Sequence, residues 1–297
     1  MFYNLSLSIY NALLPTLASK GEMGKISGIG MATGFSGTIL SILVAYFTLK
    51  HFATDTIETP EGIMAVFPVI GLFFLIFSLP LLFIIKDEKT KKVNIKYKEI
   101  AKNIAYSIKN LFKIEGMKPF LIYFALFSNA LAAIDIFFYL YAKQEVGITL
   151  VNFMFLFMAQ SIGACIGAII FGKASDKYGA KNILKFCTLL WILVIITFIV
   201  SKSLLVFWIA GLIGSVAFGG SLASSRSMFA FLAPAKNMGE YFGYSQIVSR
   251  LAAIFGPVLG GFLIYKFNYD IGLIMILLFL VSSFFYLQRT PNLRAKK

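Results

Sequence analysis

The chain has 297 residues, of which 59% are hydrophobic and 13% charged, with mean hydropathy +0.84 and a formal net charge of +14. A soluble domain keeps about 25% charged residues for its surface, so most of this surface must face something apolar, and lipid absorbs it where a single core does not. The positive charge does not signal nucleic acid, because the basic residues fall in short loops between long apolar runs, as membrane orientation signals do.

The chain opens on Met1-Phe2-Tyr3 with no charged leader and cleavage site, so no signal peptide is expected. Residues 1–17 are a short apolar segment, the expected end of a span. Within it Asn4, Ser8 and Asn11 fall at i, i+4 and i+7, one polar stripe that suits either cavity lining or interhelical hydrogen bonds. Full spans are predicted over residues 26–49, 63–85, 119–142, 150–172, 183–201, 203–225, 241–265 and 270–288. Backbone groups in lipid must be satisfied within their own segment, so these runs are helices, and a barrel would need alternating polarity. The expected fold class is therefore all-α, a polytopic helix bundle of about nine helices.

Glycines recur in the first full span and just before it (Gly24, Gly28, Gly30, Gly34, Gly37), and again at Gly163 and Gly167, where they permit close backbone approach. The loop 86–118 is long and basic. Ile100, Ile104, Ile108 and Phe112 recur at helical spacing, with Lys98, Lys102, Lys109 and Lys113 elsewhere on the wheel, an amphipathic helix on the inner membrane surface. With that loop in the cytoplasm, twenty-one of the 27 Lys and Arg residues lie inside. Only Lys50, Lys143, Lys202 and Lys266 lie outside, and Arg226 and Arg250 fall within spans.

Three charges lie inside predicted spans, where each costs roughly 2.5–3.5 kcal/mol on insertion scales. Asp135, with Ser128 on the same face, suits a proton or a cationic group, or else sits in local water near the outer interface. Arg226 lies near an inner end, where snorkelling is easy. Arg250 lies about 15 Å into its span and shares a face with Gln246 and Ser249, which suits a carboxylate contact or a pairing between helices. His51 is the sole histidine, and Cys165 and Cys187 sit in apolar runs as free thiols, so no metal, cofactor or catalytic set is expected and the chain is not read as an enzyme.

The sharpest motif runs from Gly172 through Asp176, Lys177 and Gly179 to Lys181, in the pattern G-x-x-x-D-K-x-G-x-K. Its glycines allow a tight turn, its lysines hold the turn at the inner face, and its aspartate can pair with them or cap a neighbouring helix. An ordinary basic loop is the plainer alternative. Gly256-Pro257 with Gly260-Gly261 indicates a kink or close helix packing. Residues 12–28 and 230–243 each place a proline before a polar loop and then Met-Gly-x-x-x-Gly, an echo that suggests two related halves.

The Gly172–Lys181 pattern resembles the signature loop of the major facilitator superfamily, which lies between its second and third helices and between its eighth and ninth. Phe2-Tyr3-Asn4 with Tyr10 to Pro15 looks like the end of helix four in the vacuole-effluxer branch of that superfamily, which includes the fungal autophagy-related vacuolar amino-acid effluxers. Lys25-Ile26-Ser27-Gly28-Ile29-Gly30 is similar to the opening of helix five. Gly219-Gly220-Ser221, Ser225 to Phe229, Pro234, Glu240 to Gly243 and Ala252 to Pro257 resemble helices ten and eleven. The chain departs from the branch at Ser128-Asn129-Ala130-Leu131, where an Asn-Asp-Gly run is common, and at Leu222, where a glutamine is common.

The resemblance implies a twelve-helix architecture entered near helix four. Residues 1–86 would be the remnant of a first half, 87–118 a basic cytoplasmic loop, and 119–297 a complete six-helix second half with a short tail. It implies a secondary active transporter working by alternating access, with a small solute such as an amino acid or related metabolite, efflux as the direction, and a coupling proton or ion. Asn4, Ser8, Asn11, Ser128, Asn129, Asp135, Gln246 and Arg250 are then the cavity candidates, and Gly172, Asp176, Lys177, Gly179 and Lys181 the gating loop. Gly28, Gly30, Gly34, Gly163, Gly167, Gly256 and Pro257 are the packing positions. Asp176 is expected near the helix start around Gly24–Gly28, capping it in the inward-closed state. The expected setting is a lipid bilayer, the plasma membrane of a prokaryote, with no nucleic acid partner. The alternative is a non-transporting remnant or a scaffold that assembles with other helices.

Overall fold

The structure, a computed structural model, describes residues 14, 18, 21–52, 59–84, 111–233 and 238–291, with side chains of 80–84, 238–242, 244–246, 248–249 and 252 left undescribed. The first polar stripe (Asn4, Ser8, Asn11) and the amphipathic segment around Ile100–Ile108 lie outside these residues, as does the side chain of Gln246.

Among the described residues eight long helices follow one another, each over a predicted span: α1 Met23–Phe52, α2 Pro60–Ile84, α3 Met117–Tyr141, α4 Leu150–Tyr178, α5 Ala180–Val200, α6 Leu204–Leu232, α7 Met238–Lys266 and α8 Tyr269–Gln288. A single π-helical turn, Ala142–Val146, extends α3 and ends at Gly147, whose φ of 77° suits glycine. Thr149 and Asn268 cap the starts of α4 and α8, accepting hydrogen bonds from the backbone N–H of Asn152 and Ile271. Among the described residues seven helices are long and apolar enough along one stretch to cross a bilayer. Helix α7 contributes a shorter apolar stretch, Ala253–Lys266, among the described residues.

One boundary differs instructively from its expectation. The helix predicted to stop at residue 172 continues to Tyr178, so the first half of the signature motif is the last two turns of α4. Gly172 is therefore not a turn glycine. The reversal into α5 is made by Gly179 alone, at φ 88° and ψ 132°, a region open essentially to glycine. Charged residues continue a helix without difficulty once it leaves the hydrocarbon, so hydropathy marks the membrane edge and not the helix end.

Helices α4 and α6 cross with backbones nearly touching. A Cβ on Gly167 would strike the Val216 carbonyl oxygen, and one on Gly219 the Ala164 carbonyl oxygen. Lipid tails are as apolar as leucine, so such fitted surfaces, not hydrophobic exclusion, hold membrane helices together. Around this pair α5 packs on α6, α8 on α5, and α3 on both α7 and α8. Phe120, Tyr123, Phe207, Leu156, Leu184, Ile195 and Met228 fill the shared interior. Helix α1 lies along α4 and α6, and α2 packs on α1, presenting Phe67, Phe74 and Phe77 outward as lipid-facing side chains do.

Two lysines tie the opposite ends of this bundle. At one end Lys202, in the α5–α6 loop, reaches Asp270 at the start of α8 (2.5 Å) and Glu145 of the π turn (3.3 Å), and lies 5.0 Å from the Tyr141 ring centre. Burial pulls the Lys202 ammonium down, but the Asp270 hydrogen bond and the negative charges of Asp270 and Glu145 outweigh it and hold its pKa above the ordinary lysine value. At the other end Lys181, at the start of α5, donates to the carbonyl oxygens of Gln288 (2.8 Å) and Thr290, beyond the end of α8.

Candidate functional site

The site is built where α1 begins. The first N–H groups of any helix lack partners within it and carry the positive end of the helix dipole. Here a side chain from another helix supplies the acceptors. Both oxygens of Asp176, in the last turn of α4, accept a backbone N–H, one from Gly24 and one from Lys25, each at 2.8 Å. This is the proximity expected for Asp176. Lys25 in turn reaches Glu22 at 3.2 Å on the exposed side.

Small residues make the cap reachable. A Cβ on Gly24 would collide with the Gly172 carbonyl oxygen and sit 2.8 Å from the Asp176 carboxylate. One on Gly28 would collide with the Ala168 carbonyl oxygen, and one on Gly172 would lie 2.9 Å from the Gly28 Cα. The buried Ser27 hydroxyl donates to the Ala223 carbonyl oxygen at 3.0 Å, fastening the same turn of α1 to α6. Ser175 and Ser224 share a buried hydrogen bond of 2.7 Å between α4 and α6 directly behind it. Further along, Phe35 meets Phe218 and Tyr46 meets Phe155, with ring centres 5.9 and 5.7 Å apart. Ser27, Ser175 and Ser224 were not among the sequence candidates. Their only signal was their place in small-residue runs, which is silent about which helix each one faces.

The remaining candidates are dispersed. Asn129 is buried, accepts the Gly256 N–H at 2.6 Å and donates to the Ala125 carbonyl oxygen at 2.9 Å, so its amide joins α3 to α7 and is not offered to a cavity. Ser128 is half-buried and Asp135 exposed on α3; Arg250 is exposed on α7, and Arg226 is half-buried near the C-terminal end of α6. Gly256 meets Asn129 and Gly260 meets Phe137, so α3 and α7 run in the same direction, with Asp135 six residues after Asn129 and Arg250 six residues before Gly256. At 1.5 Å per residue they stand roughly 18 Å apart along the bundle, so they do not form a pair.

Among the packing glycines, Gly163 and Gly167 meet Ser215 and Val216 of α6, and Gly256 meets the Asn129 backbone. Gly34 is a correction, and Gly37 behaves likewise: a Cβ at either meets nothing within 4 Å, so neither makes a close approach among the described residues. Gly30, on the same stretch of α1, is half-buried. Pro257 lies inside α7, directly after the amide held by Asn129. Lys177 is exposed beside the Tyr178 ring, and Lys181 turns away from α1 toward α8. Thus the motif divides: Gly172 and Asp176 face α1, while Gly179 and Lys181 shape and anchor the hairpin.

Among the described residues no three His, Cys, Asp or Glu side chains are grouped to hold a metal, and both cysteines are free. A small cavity between α3, α5, α7 and α8, walled by Ala133, Phe137, Ile195, Phe198, Leu273 and Met275, is apolar and offers nothing to orient a polar solute.

The family described as "Vacuole effluxer Atg22 like" matches residues 1–297. The chain is 22% identical over 258 residues to an uncharacterized MFS-type transporter, YxiO, of Bacillus subtilis (strain 168), covering 84% of this chain and 59% of that protein. It is 24% identical over 294 residues to autophagy-related protein 22 of Pichia angusta, covering 84% of this chain and 52% of that protein. The chain thus spans between half and three fifths of the length of these two relatives. The crystal structure of the E. coli fucose:proton symporter, 12% identical, superposes with a TM-score of 0.70 over 96% of this chain and 73% of that one.

Proposed function

The chain belongs to the Atg22-like vacuole effluxer family and has the major facilitator fold, and from that premise we propose that it serves secondary transport of a small polar solute by alternating access. Amino acids or related metabolites are the proposed solutes and efflux the proposed direction. In this reading residues 1–86 belong to one moving half and 119–297 to the other, joined by the 87–118 loop. The loop and the C-terminal tail lie in the cytoplasm, and the membrane is the plasma membrane of a prokaryote.

The observation that carries the reading is the Asp176 cap. A carboxylate of one half holds the helix start of the other through two charge-assisted hydrogen bonds, at the inner membrane edge. Such a contact forms when the inner side is closed and must break when it opens, so it biases the equilibrium between the two states. Gly24, Gly28 and Gly172 let the two backbones close without side chains between them. Asp135, exposed on α3 with no hydrogen bond or ion pair among the described residues, is the proposed site of a coupling proton.

A second reading, a membrane scaffold that assembles with further helices, is supported by the way α2 packs on α1 and by the broad exposed face of α7 at Leu251, Phe255 and Val258. Flux of radiolabelled amino acids into and out of liposomes, with and without an imposed proton gradient, separates the two. Gradient-dependent flux that Asp176→Asn alters supports transport. Flat traces beside an active full-length relative support the scaffold.

A further inference from the structure

We propose that Lys181 is a positioning residue for the Asp176 gate, acting through the C-terminal end of α8; the inference rests on the gate reading above. Lys181 lies five residues beyond Asp176, on the other side of the one-residue joint at Gly179. With so short a joint, the start of α5 dictates where the last turn of α4 sits. The Asp176 cap tolerates little displacement, because hydrogen bonds of 2.8 Å weaken steeply once lengthened or tilted.

Lys181 is only 9% exposed, and its ammonium is shared between two main-chain acceptors, the carbonyls of Gln288 and Thr290. These belong to the end of α8, where carbonyls lack helical partners and the dipole favours a cation. An ammonium has three donors and satisfies both at once. The next residue, Pro291, lies against Gly116, the left-handed residue (φ 78°) that opens α3, and a Cβ there would collide with the proline ring. Residues 288–291 therefore form a strap along the inner edge that joins the starts of α3 and α5 to the end of α8. Through Lys181 the strap seats the α4–α5 hairpin, and through the hairpin it sets the reach of Asp176 toward Gly24.

The test is a distance measurement across the gate in the full chain, reconstituted in nanodiscs. Spin labels are placed at E22C and Y178C, both exposed positions, with Cys165→Ser and Cys187→Ala removing the native thiols. The parent should show one dominant short distance. Lys181→Met should raise the long-distance population roughly fivefold or more, Lys181→Arg should restore the parent distribution, and Lys181→Met combined with Asp176→Asn should exceed neither single variant by much. Deleting residues 289–297 removes the Thr290 acceptor while sparing Lys181, and should shift the distribution in the same direction even if Lys181→Met does not fold. A shift with Asp176→Asn but none with Lys181→Met or the deletion overturns the strap and leaves the gate standing. Additive shifts also overturn it, since Lys181 would then act independently of Asp176. No shift with Asp176→Asn sinks the gate reading itself.

Discussion

The Gly256 amide donates to the Asn129 side chain at 2.6 Å, one residue before Pro257 interrupts the hydrogen-bond ladder of α7. A backbone donor beside a proline, in a segment where lipid provides no acceptor, is thus engaged by a neighbouring helix. Replacing Asn129 with Leu should cost on the order of 1 kcal/mol, or about 2–4 °C in the thermal midpoint in detergent. Gly256→Ala should cost more, because its Cβ would lie 2.9 Å from the Asn129 carbonyl carbon and backbone cannot rotate aside. Equal, small shifts for both variants would show that α3 and α7 are not closely seated here.

Where α1 meets α4, the glycines should matter more than the carboxylate. Asp176→Ala removes a helix cap, worth about 1 kcal/mol in typical measurements. Gly28→Val places a branched side chain against the Ala168 carbonyl and should hold α1 away from α4 altogether. The reactivity of a cysteine at Ser27, buried against α6, toward a thiol reagent added from the inner side reports this, in a background lacking Cys165 and Cys187. The expected order is low in the parent, intermediate with Asp176→Ala, and high with Gly28→Val. High reactivity in the parent would mean the contact is not the resting state.

The Lys202 cluster predicts a pH dependence of definite sign. An ammonium whose pKa is raised in the fold adds stability below its ordinary value of 10.5 and loses it as pH climbs through the higher folded value. The parent should therefore be more stable than Lys202→Met at neutral pH, and the difference should shrink only above about pH 10.5. Thermal midpoints of both proteins from about pH 7 to 11 measure this. A gap that closes near neutrality would contradict the assignment.

Asp135 should behave as a functional group and not a structural one. It is exposed and makes no hydrogen bond or ion pair among the described residues, so Asp135→Asn should leave the thermal midpoint within about 1–2 °C of the parent. In liposomes the same variant should abolish acceleration of flux by a proton gradient while exchange of solute for solute persists. A large loss of stability would instead assign Asp135 to packing.

Hydropathy was enough to locate all eight described helices, because the preference of a segment for lipid is a sum over its own residues. The motif with its family resemblance went further and placed Asp176 near Gly24. What only the packed bundle decided was the partnership of each polar group: Asn129 with Gly256 rather than a cavity, Ser27 with Ala223, Lys202 with Asp270, and Lys181 with the end of α8. Those choices depend on helix rotation and crossing, which join residues far apart in the chain and leave no mark on local periodicity.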